Sequence, residues 1–512
     1  MVGENENAAI YFVDRHASGA NAEKPAFVEA DGEKRNISYA ELSRESGKMA
    51  EFFRNNGINR EDRAAVLVLD QIEFPIIFWG SLKCGVVPVA LNTLLSTDVY
   101  DAMLRDSRAR ILFVSQALLP VVEPALRDNP YLEHICVIGD DPGSYLNFSD
   151  ELAKCEPSDP ISVTSDECAF WLYSSGSTGQ PKGVRHVHGS LKFTSDTYGA
   201  KVLGIMESDI VYSAAKFFFA YGLGNAMTFP MSVGATTIIL SGRPTPDSVT
   251  EVLNTHKPSV FCGVPTLYAA MNAHFESGKG KIETELRRCL SAGEALPYEV
   301  GNAWEKLTSC EILDGVGSTE MLHIFLSNAP GNVEYGTSGI AVPGYEVRLV
   351  DENGDEVGPN TVGELLVNGD SGASDYWNQR EKSRSTFEGK WTRTGDKYER
   401  RDDGRYIYCG RTDDMFKVSG IWVSPFEVEQ SISSHADVLE AAVVPARDDE
   451  DLEKPKAFVI LKEGISQDGM ETVLKEHVQQ QIGKWKYPRW IEFVDELPKT
   501  ATGKIQRFKL RA

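Results

Sequence analysis

The chain has 512 residues, 42% hydrophobic and 25% charged, which is enough length for two or more domains with buried cores. Its formal net charge of −23 excludes a generally basic surface, and with it a general role in nucleic-acid binding. The densest apolar run is too short to span a bilayer, and the first residues lack the features of a secretory signal. We therefore expect a cytoplasmic protein with neither nucleic acid nor membrane as a partner.

The first part of the chain alternates between helix and strand patterns. Ser38 and Glu41 form a capping box for a helix that Gly57 is placed to end. A second helix is predicted over residues 72–82. Apolar runs predict strands at residues 63–69, 86–91, 111–115, 135–138, 210–214, 236–240 and 260–263. This alternation is typical of an α/β fold with a substantial parallel sheet.

The pattern changes after about residue 330, where short strands alternate with turns. Strands are predicted at residues 346–350, 363–367 and 405–408. The last hundred residues form a compact α/β unit, with helices at 425–433 and 470–482 and strands at 441–444, 457–461 and 490–493. We predict a large N-terminal domain over residues 1–410, with a β-rich subdomain over about 331–410, and a small mobile C-terminal α/β domain over 411–512.

The eight cysteines form no C-x-x-C pair, and most stand beside apolar residues. We interpret them as small buried hydrophobic residues in a reducing compartment. A zinc site is therefore not expected.

One segment, residues 173–183 with the sequence YSSGSTGQPKG, carries the strongest chemical signal. It follows a buried apolar run, so we expect a loop that leaves a strand. Three glycines allow a backbone that exposes its amides, and the hydroxyls and lysine add donors suited to phosphate oxygens. The spacing is not that of a Walker A loop, and a flexible linker is the alternative interpretation.

The segment resembles the phosphate loop of the acyl-adenylate-forming superfamily, which includes acyl-CoA synthetases. Further motifs of that superfamily follow in order along nearly the whole chain. Besides the phosphate loop, they are residues 82–85 with Pro88, residues 291–295, residues 314–320, residues 363–365, residues 394–396, residues 410–414 and residues 498–504.

The resemblance implies a site for ATP and AMP, with Mg²⁺ on Glu320, which is a hard oxygen ligand. Asp396 would accept hydrogen bonds from the ribose hydroxyls, and Arg411 would donate to the same sugar. The implied catalytic residues are Lys504, Glu320 and Thr178. The implied nucleotide-binding residues are Ser174, Ser175, Gly176, Ser177, Thr178, Gly179, Lys182, Gly293, Glu294, Ala295, Asp314, Gly315, Val316, Thr319, Asp396 and Arg411.

The resemblance also implies two half-reactions joined by a rotation of the C-terminal domain. Lys504 would bridge the carboxylate and the α-phosphate while the acyl-adenylate forms. Rotation about Asp413 would then bring residues 417–420 to the pantetheine arm of CoA. Lys417, Ser419 and Gly420 are the implied contacts to CoA.

Two aromatic and apolar segments, residues 215–225 and 321–325, resemble the acid pocket of the benzoate–CoA ligase branch. The residues implied to line an aryl pocket are Phe219, Ala220, Tyr221, Gly222, Gly317, His323 and Ile324. Bulky walls would suit a flat ring and exclude long acyl chains. Plain core packing is the alternative for several of these residues.

The predicted function is an acid–CoA ligase for a small aromatic acid, with ATP, CoA and Mg²⁺. Three alternatives stay open: a ligase for aliphatic or alicyclic acids, an enzyme that adenylates amino acids, and a non-catalytic nucleotide-binding protein. Amino-acid adenylation is disfavoured because Ala220 stands where an Asp usually pairs with the ammonium. The oligomeric state is not determined, and a homodimer is one option.

Overall fold

The computed structural model describes residues 5–175, 181–283, 285–412, 414–418, 421–449, 452–483, 486–499 and 505–511. The described residues divide by their contacts into two compact units. The first comprises residues 1–346 and 367–392, and the second comprises residues 347–366 and 393–512. No helix in the described part of the chain is long and apolar enough to cross a membrane.

The first part of the chain is built from alternating strands and helices. Its strands are β1 (Pro25–Glu29), β2 (Asn36–Ser38), β3 (Arg63–Leu67), β4 (Val87–Ala90), β5 (Ile111–Ser115), β6 (His134–Ile138), β7 (Leu146–Asn147), β8 (Cys168–Ser175), β9 (Pro181–Val187), β10 (Ile210–Ser213), β11 (Thr236–Ile239), β12 (Val260–Gly263), β13 (Arg288–Ser291), β14 (Ile312–Gly317), β15 (Ile324–Ser327) and β16 (Ile340–Ala341). Its α-helices are α1 (Ala8–Phe12), α2 (Tyr39–Asn55), α3 (Glu73–Cys84), α4 (Thr97–Ser107), α5 (Leu119–Leu126), α6 (Phe148–Leu152), α7 (His188–Thr194), α8 (Ala220–Leu223), α9 (Phe229–Val233), α10 (Pro246–His256), α11 (Pro265–Glu276) and α12 (Tyr298–Thr308). Two π-helical segments, Ser195–Leu203 and Gly224–Thr228, follow α7 and α8.

The rest of the chain is richer in strands. These are β17 (Glu346–Val350), β18 (Val362–Asn368), β19 (Asp375–Tyr376), β20 (Phe387–Glu388), β21 (Trp391–Arg400), β22 (Tyr406–Arg411), β23 (Phe416–Val418), β24 (Ile421–Val423), β25 (Val438–Arg447), β26 (Glu453–Leu461) and β27 (Trp490–Phe493). The α-helices are α13 (Arg380–Thr386), α14 (Pro425–Ser433) and α15 (Met470–Ile482). Short 3₁₀ turns lie at Asp14–His16, Gly19–Asn21, Gln116–Leu118 and Arg507–Lys509.

Two large sheets form the first unit. One has the strand order β16-β15-β14-β13-β12-β10-β11-β1-β2, and the other has the order β19-β9-β8-β4-β3-β5-β6-β7. Their central strands run parallel, while β15, β16, β2, β9 and β19 pair antiparallel at the edges. Parallel strands cannot be joined by a tight turn and need a crossover connection, which helices supply here. This architecture confirms the predicted α/β fold.

A shared apolar core joins both sheets to helices α2 and α3. Phe27 of β1 and Phe113 of β5 belong to the same buried cluster as Phe53 of α2 and Trp79 of α3. The capping box predicted at Ser38 and Glu41 is present, and its two hydrogen bonds start α2 at the expected residue. The predicted strand and helix positions are confirmed, most of them to within two residues.

The second unit contains smaller sheets. Strands β17, β18, β21 and β22 belong to one sheet, and β25, β26 and β27 form another. Helices α14 and α15 cover the latter, where Val428, Ile432 and Leu474 are fully buried. All eight cysteines are free; Cys168 and Cys409 are half-buried and the other six are buried.

Helices α2 and α3 approach so closely that a glycine is required at their contact. A Cβ at Gly80 would stand 2.5 Å from the Met49 Cβ and 2.9 Å from the Ser46 carbonyl oxygen. We expect Gly80→Ala to lose about 1–3 kcal/mol from overpacking, which exceeds the roughly 0.5–1 kcal/mol gained in helix propensity. Calorimetric unfolding should therefore occur at a lower temperature.

The control is Gly358→Ala, because a Cβ at Gly358 meets no heavy atom within 4 Å. This variant should unfold at or slightly above the temperature of the parent chain, because alanine lowers the conformational entropy of the unfolded chain. Unfolding of Gly80→Ala at that same temperature would contradict the close helix contact.

Candidate functional site

Ser174 and Lys182 face each other across the β8–β9 hairpin. The strand predicted to end before the phosphate loop runs on to Ser175, and Pro181, Lys182 and Gly183 already belong to β9. The hairpin thus presents both polar side chains on one face of the sheet. Of the predicted phosphate-binding residues, Gly176, Ser177, Thr178 and Gly179 lie outside the described residues, as does the side chain of Ser175.

Glu320 lies on the turn that connects β14 to β15, and its carboxylate meets the hairpin. Its Oε1 accepts a 2.7 Å hydrogen bond from the Tyr376 hydroxyl. The same oxygen lies 3.4 Å from the Ser174 Oγ and 3.5 Å from the Lys182 Nζ. Burial disfavours the charged carboxylate, but Lys182 and the Tyr376 hydroxyl outweigh it, so the pKa of Glu320 is below its ordinary value. The carboxylate is therefore ionised at neutral pH.

The turn that carries Glu320 is held by hydrogen bonds to its backbone carbonyls. The His186 Nε2 lies 2.8 Å from the Thr319 oxygen, and the Ala373 amide donates to the Glu320 oxygen over 2.8 Å. The Ser371 hydroxyl donates to the Met321 oxygen, also over 2.8 Å. These bonds support a strained backbone, because Leu322 adopts a φ of 65°.

Residues on the turn's partner segments were missed by sequence reasoning. Tyr376, Ser371 and Ala373 come more than 50 positions after Glu320, and His186 comes more than 130 positions before it. Only the folded topology brings them to the same place, because β19 pairs with β9. No local pattern in the sequence marks them as neighbours of the carboxylate.

Residues 293–295, which were predicted to bind the nucleotide, follow β13, next to the strand that leads to Glu320. Gly293 and Glu294 are exposed, Ala295 is half-buried, and Gly293 has a φ of 98°. Strand β14 contributes Asp314, Gly315 and Val316 and runs parallel to β13. The carboxyl ends of parallel strands are a common place for ligand binding in α/β sheets.

Asp314 lies within strand β14 and is buried. Its Oδ2 accepts from the Leu296 amide over 3.4 Å. Burial raises the pKa of Asp314 to about 8, and the hydrogen bonds only partly oppose it. A protonated side chain is thus expected at neutral pH.

The residues predicted to line the acid pocket come from the same turn and from the start of helix α8. Gly317 of β14 pairs with Ile324 of β15, so the connection between them is short. The rings of Tyr221 and His323 stack with centroids 5.8 Å apart. Phe219 and Ala220 pack on the core but stay half-buried, as Tyr221 does. All predicted pocket residues therefore lie in the first unit, and Tyr221 contacts the turn through His323.

Close packing explains the glycines and the uncharged histidine of this region. A Cβ at Gly222 would stand 2.0 Å from the Lys216 carbonyl oxygen, so only glycine fits there. His323 is buried, with the Phe229 ring 4.5 Å and the Tyr198 ring 5.1 Å from its own centroid. Burial lowers the pKa of His323 to about 3, which leaves it neutral. Phe229 and Tyr198 were not predicted.

Asp396 and Arg411 form an ion pair within the second unit. They are register partners in β21 and β22, and the Arg411 Nη1 lies 2.9 Å from the Asp396 Oδ1. No strand was predicted between residues 367 and 405, yet β21 extends through Asp396 and the charged residues that follow it. The preceding Gly395, with a φ of 71°, allows the strand to bend there.

The remaining predicted residues cannot be compared with the structure. Lys504, Asp413, Ser419 and Gly420 lie outside the described residues. Lys417 belongs to β23, but its side chain is not described. Among the residues that are described, no group of three or more His, Cys, Asp or Glu side chains is arranged to hold a metal.

Two family models match this chain. Residues 13–377 match the AMP-binding enzyme model, and residues 427–504 match the model of the AMP-binding enzyme C-terminal domain. The chain therefore belongs to the AMP-binding enzyme family.

Individual relatives lie in the predicted branch. A 4-hydroxybenzoate–CoA/benzoate–CoA ligase of Rhodopseudomonas palustris is 51% identical over 99% of this chain and 94% of its own. The crystal structure of a benzoate CoA ligase from Burkholderia xenovorans has a TM-score of 0.90 at 46% identity, covering 99% of this chain and all of that one. An anthranilate CoA ligase in complex with anthranoyl-AMP has a TM-score of 0.93 at 40% identity, covering 99% and 97%. The resemblance stated from the motifs is confirmed.

The raised pKa of Asp314 generates a prediction about stability. The folded chain keeps a proton that the unfolded chain releases between the ordinary aspartate range, near pH 4, and pH 8. The parent therefore loses stability as pH rises through this window. As the pH rises from 5 to 8, the free energy of unfolding of Asp314→Asn should increase relative to that of the parent by about 1 kcal/mol per pH unit. Urea unfolding across this range measures the difference.

Asp209→Asn is the matched control. Asp209 is equally buried, but its Oδ2 pairs with the Arg287 Nη2 at 2.5 Å. Removing this charge should destabilise the chain at every pH in the range. A pH-independent difference between Asp314→Asn and the parent would contradict a protonated Asp314.

Proposed function

We propose that this chain is an acid–CoA ligase for benzoate or a ring-substituted benzoate. The acid reacts with MgATP to give an enzyme-bound aroyl-adenylate and pyrophosphate. The acyl group then passes to the CoA thiol, and AMP leaves. The relatives that match at about half identity support this function over the full length of the chain.

One observation carries the proposal: a single turn joins an ionised carboxylate to a set of rings and apolar side chains. We call this set, Tyr221, His323 and Ile324, the aromatic wall. Glu320 stands on the turn beside Lys182 and Ser174, while His323 and Ile324 follow it within four residues. A short acid with a flat ring suits this span, because its carboxylate would reach the polar end while its ring rests on the wall.

At the Glu320 end of the turn, the charged and polar groups suit a nucleoside triphosphate. The Lys182 ammonium is placed to donate to phosphate oxygens, and Ser174 adds a hydroxyl donor. The Glu320 carboxylate suits Mg²⁺, which takes one or two carboxylates and completes its shell with phosphate oxygens and water. When bound, Mg²⁺ would neutralise charge on the phosphates. The protein's own task is then to orient the acid toward the α-phosphate.

Further roles come to this proposal from the family resemblance. Thr178 and Thr319 would donate hydroxyls to the phosphates. Residues 293–295 would line the adenine pocket, and residues 314–316 would contact AMP. Asp396 and Arg411 would hold the ribose. Lys504 would stabilise the charge that develops as the acid attacks, and Asp413 would be the pivot between the half-reactions. Lys417, Ser419 and Gly420 would contact CoA.

The domain boundary near residue 410, the homodimer and the cytoplasmic location stay predictions. The second compact unit begins before that boundary, since it contains residues 347–366 and 393–410.

A panel of acids tests the substrate class. Benzoate, hydroxy-, amino- and chlorobenzoates, cyclohexanecarboxylate, hexanoate and phenylalanine are each supplied with MgATP, and pyrophosphate release is measured with and without CoA. We expect the highest kcat/KM with an aryl acid, because the wall of Tyr221 and Ile324 matches a flat ring. A higher kcat/KM for hexanoate than for every aryl acid would reject an aromatic substrate.

Two variants test whether different residues serve the two half-reactions. Lys504→Ala should slow adenylation by two to three orders of magnitude, about the effect of removing one transition-state donor. It should spare thioester formation from a supplied benzoyl-adenylate. Asp413→Pro restricts a backbone angle at the proposed pivot and should do the reverse. Equal losses in both half-reactions for both variants would be incompatible with a rotating domain.

A further inference from the structure

Tyr376 is a buried residue on the edge strand β19, outside every motif of the sequence. It pairs with Val184 of the antiparallel strand β9. Lys182 lies two positions before Val184, so its side chain projects from the same face of the sheet as that of Tyr376. Sheet register therefore places the tyrosine beside the lysine.

Tyr376 contacts both members of the Glu320–Lys182 pair. Its hydroxyl donates to the Glu320 Oε1 over 2.7 Å and lies 3.4 Å from the Lys182 Nζ. The ammonium also stands 4.4 Å from the centroid of the Tyr376 ring, within cation–π range. The Ala373 amide of the same segment holds the Glu320 backbone.

The two charged groups are close without being in tight contact. Their nearest atoms are 3.5 Å apart, whereas a charge-assisted hydrogen bond from an ammonium to a carboxylate is about 2.7–2.9 Å long. A hydrogen-bonded ion pair would direct the ammonium and the carboxylate at each other. The Tyr376 hydroxyl occupies a carboxylate oxygen and the ring face attracts the ammonium, so both interactions oppose that contact.

We propose that Tyr376 is a positioning residue that sets the spacing and direction of the Glu320 carboxylate and the Lys182 side chain, so that the carboxylate can take Mg²⁺ and the ammonium can donate to the ATP phosphates. This inference rests on the proposed function only in taking MgATP as the ligand. It does not depend on which acid the enzyme activates.

The test is the binding of ATP to the full-length chain without any acid, by titration calorimetry with and without Mg²⁺. Tyr376→Phe keeps the ring over Lys182 and removes the hydroxyl. We expect its Kd for MgATP to rise about tenfold, the effect of one hydrogen bond to a charged group. Its Kd for metal-free ATP should change by less than twofold. Tyr376→Leu also removes the ring and should weaken binding of both forms.

A double variant separates positioning from general stability. In a Glu320→Gln background, Tyr376→Phe should have no further effect on MgATP binding, because the carboxylate that it positions is gone. Tyr39→Phe is the matched control: the Tyr39 hydroxyl is equally buried and donates to the Ala235 oxygen over 2.7 Å, away from the site. Its Kd for MgATP should equal that of the parent.

Two results would overturn the proposal. One is a Kd for MgATP within twofold of the parent in Tyr376→Phe, and the other is an undiminished effect of this substitution in the Glu320→Gln background. If Tyr376→Leu does not fold, Tyr376→Phe and the double variant still test the positioning role of Tyr376. Failure of every acid in the panel would reject the proposed function and leave these binding results intact.

Discussion

The close approach of Glu320 to Lys182 is the constraint on which the site depends. Two opposite charges are largely buried, and removing charges from water is costly unless they are paired and hydrogen-bonded. Here the nearest charged atoms are 3.5 Å apart, and the Tyr376 hydroxyl gives the carboxylate a 2.7 Å hydrogen bond. The result is an ionised carboxylate beside the side-chain nitrogen of a lysine, and MgATP needs one group for its metal and one for its phosphates.

This approach also explains the arrangement of the first unit. Lys182 belongs to a hairpin of one sheet, and Glu320 follows β14 of the other, so their contact lies where the two sheets meet. The backbone of the turn is strained at Leu322 and is held by hydrogen bonds from His186, Ser371 and Ala373. Strain of this kind persists only where the surroundings over-determine the conformation.

Sequence reasoning succeeded where the signal is local. The capping box at Ser38, the strand bounds at 111–115 and 260–263 and the helix at 470–482 follow from patterns within a few residues. The polar residues that we propose for the site come from motifs that are also short. Tyr376 was missed because its role comes from the β19–β9 pairing, which joins residues almost 200 positions apart. Strand β21 was missed because a charged stretch can still be a strand when its partner supplies the hydrogen-bond ladder.

The electrostatics of the proposed acid pocket and its aromatic wall bear on the kind of acid that could bind. Burial keeps His323 neutral, and Ala220 supplies no charge at the place where an ammonium would need one. A zwitterionic amino acid would leave its cation desolvated against this wall, at a cost of several kcal/mol. A benzoate has its only charge on the carboxylate, which can be directed toward the Lys182 end of the turn. The charged end and the neutral wall thus favour an acid whose polar group and ring lie at opposite ends.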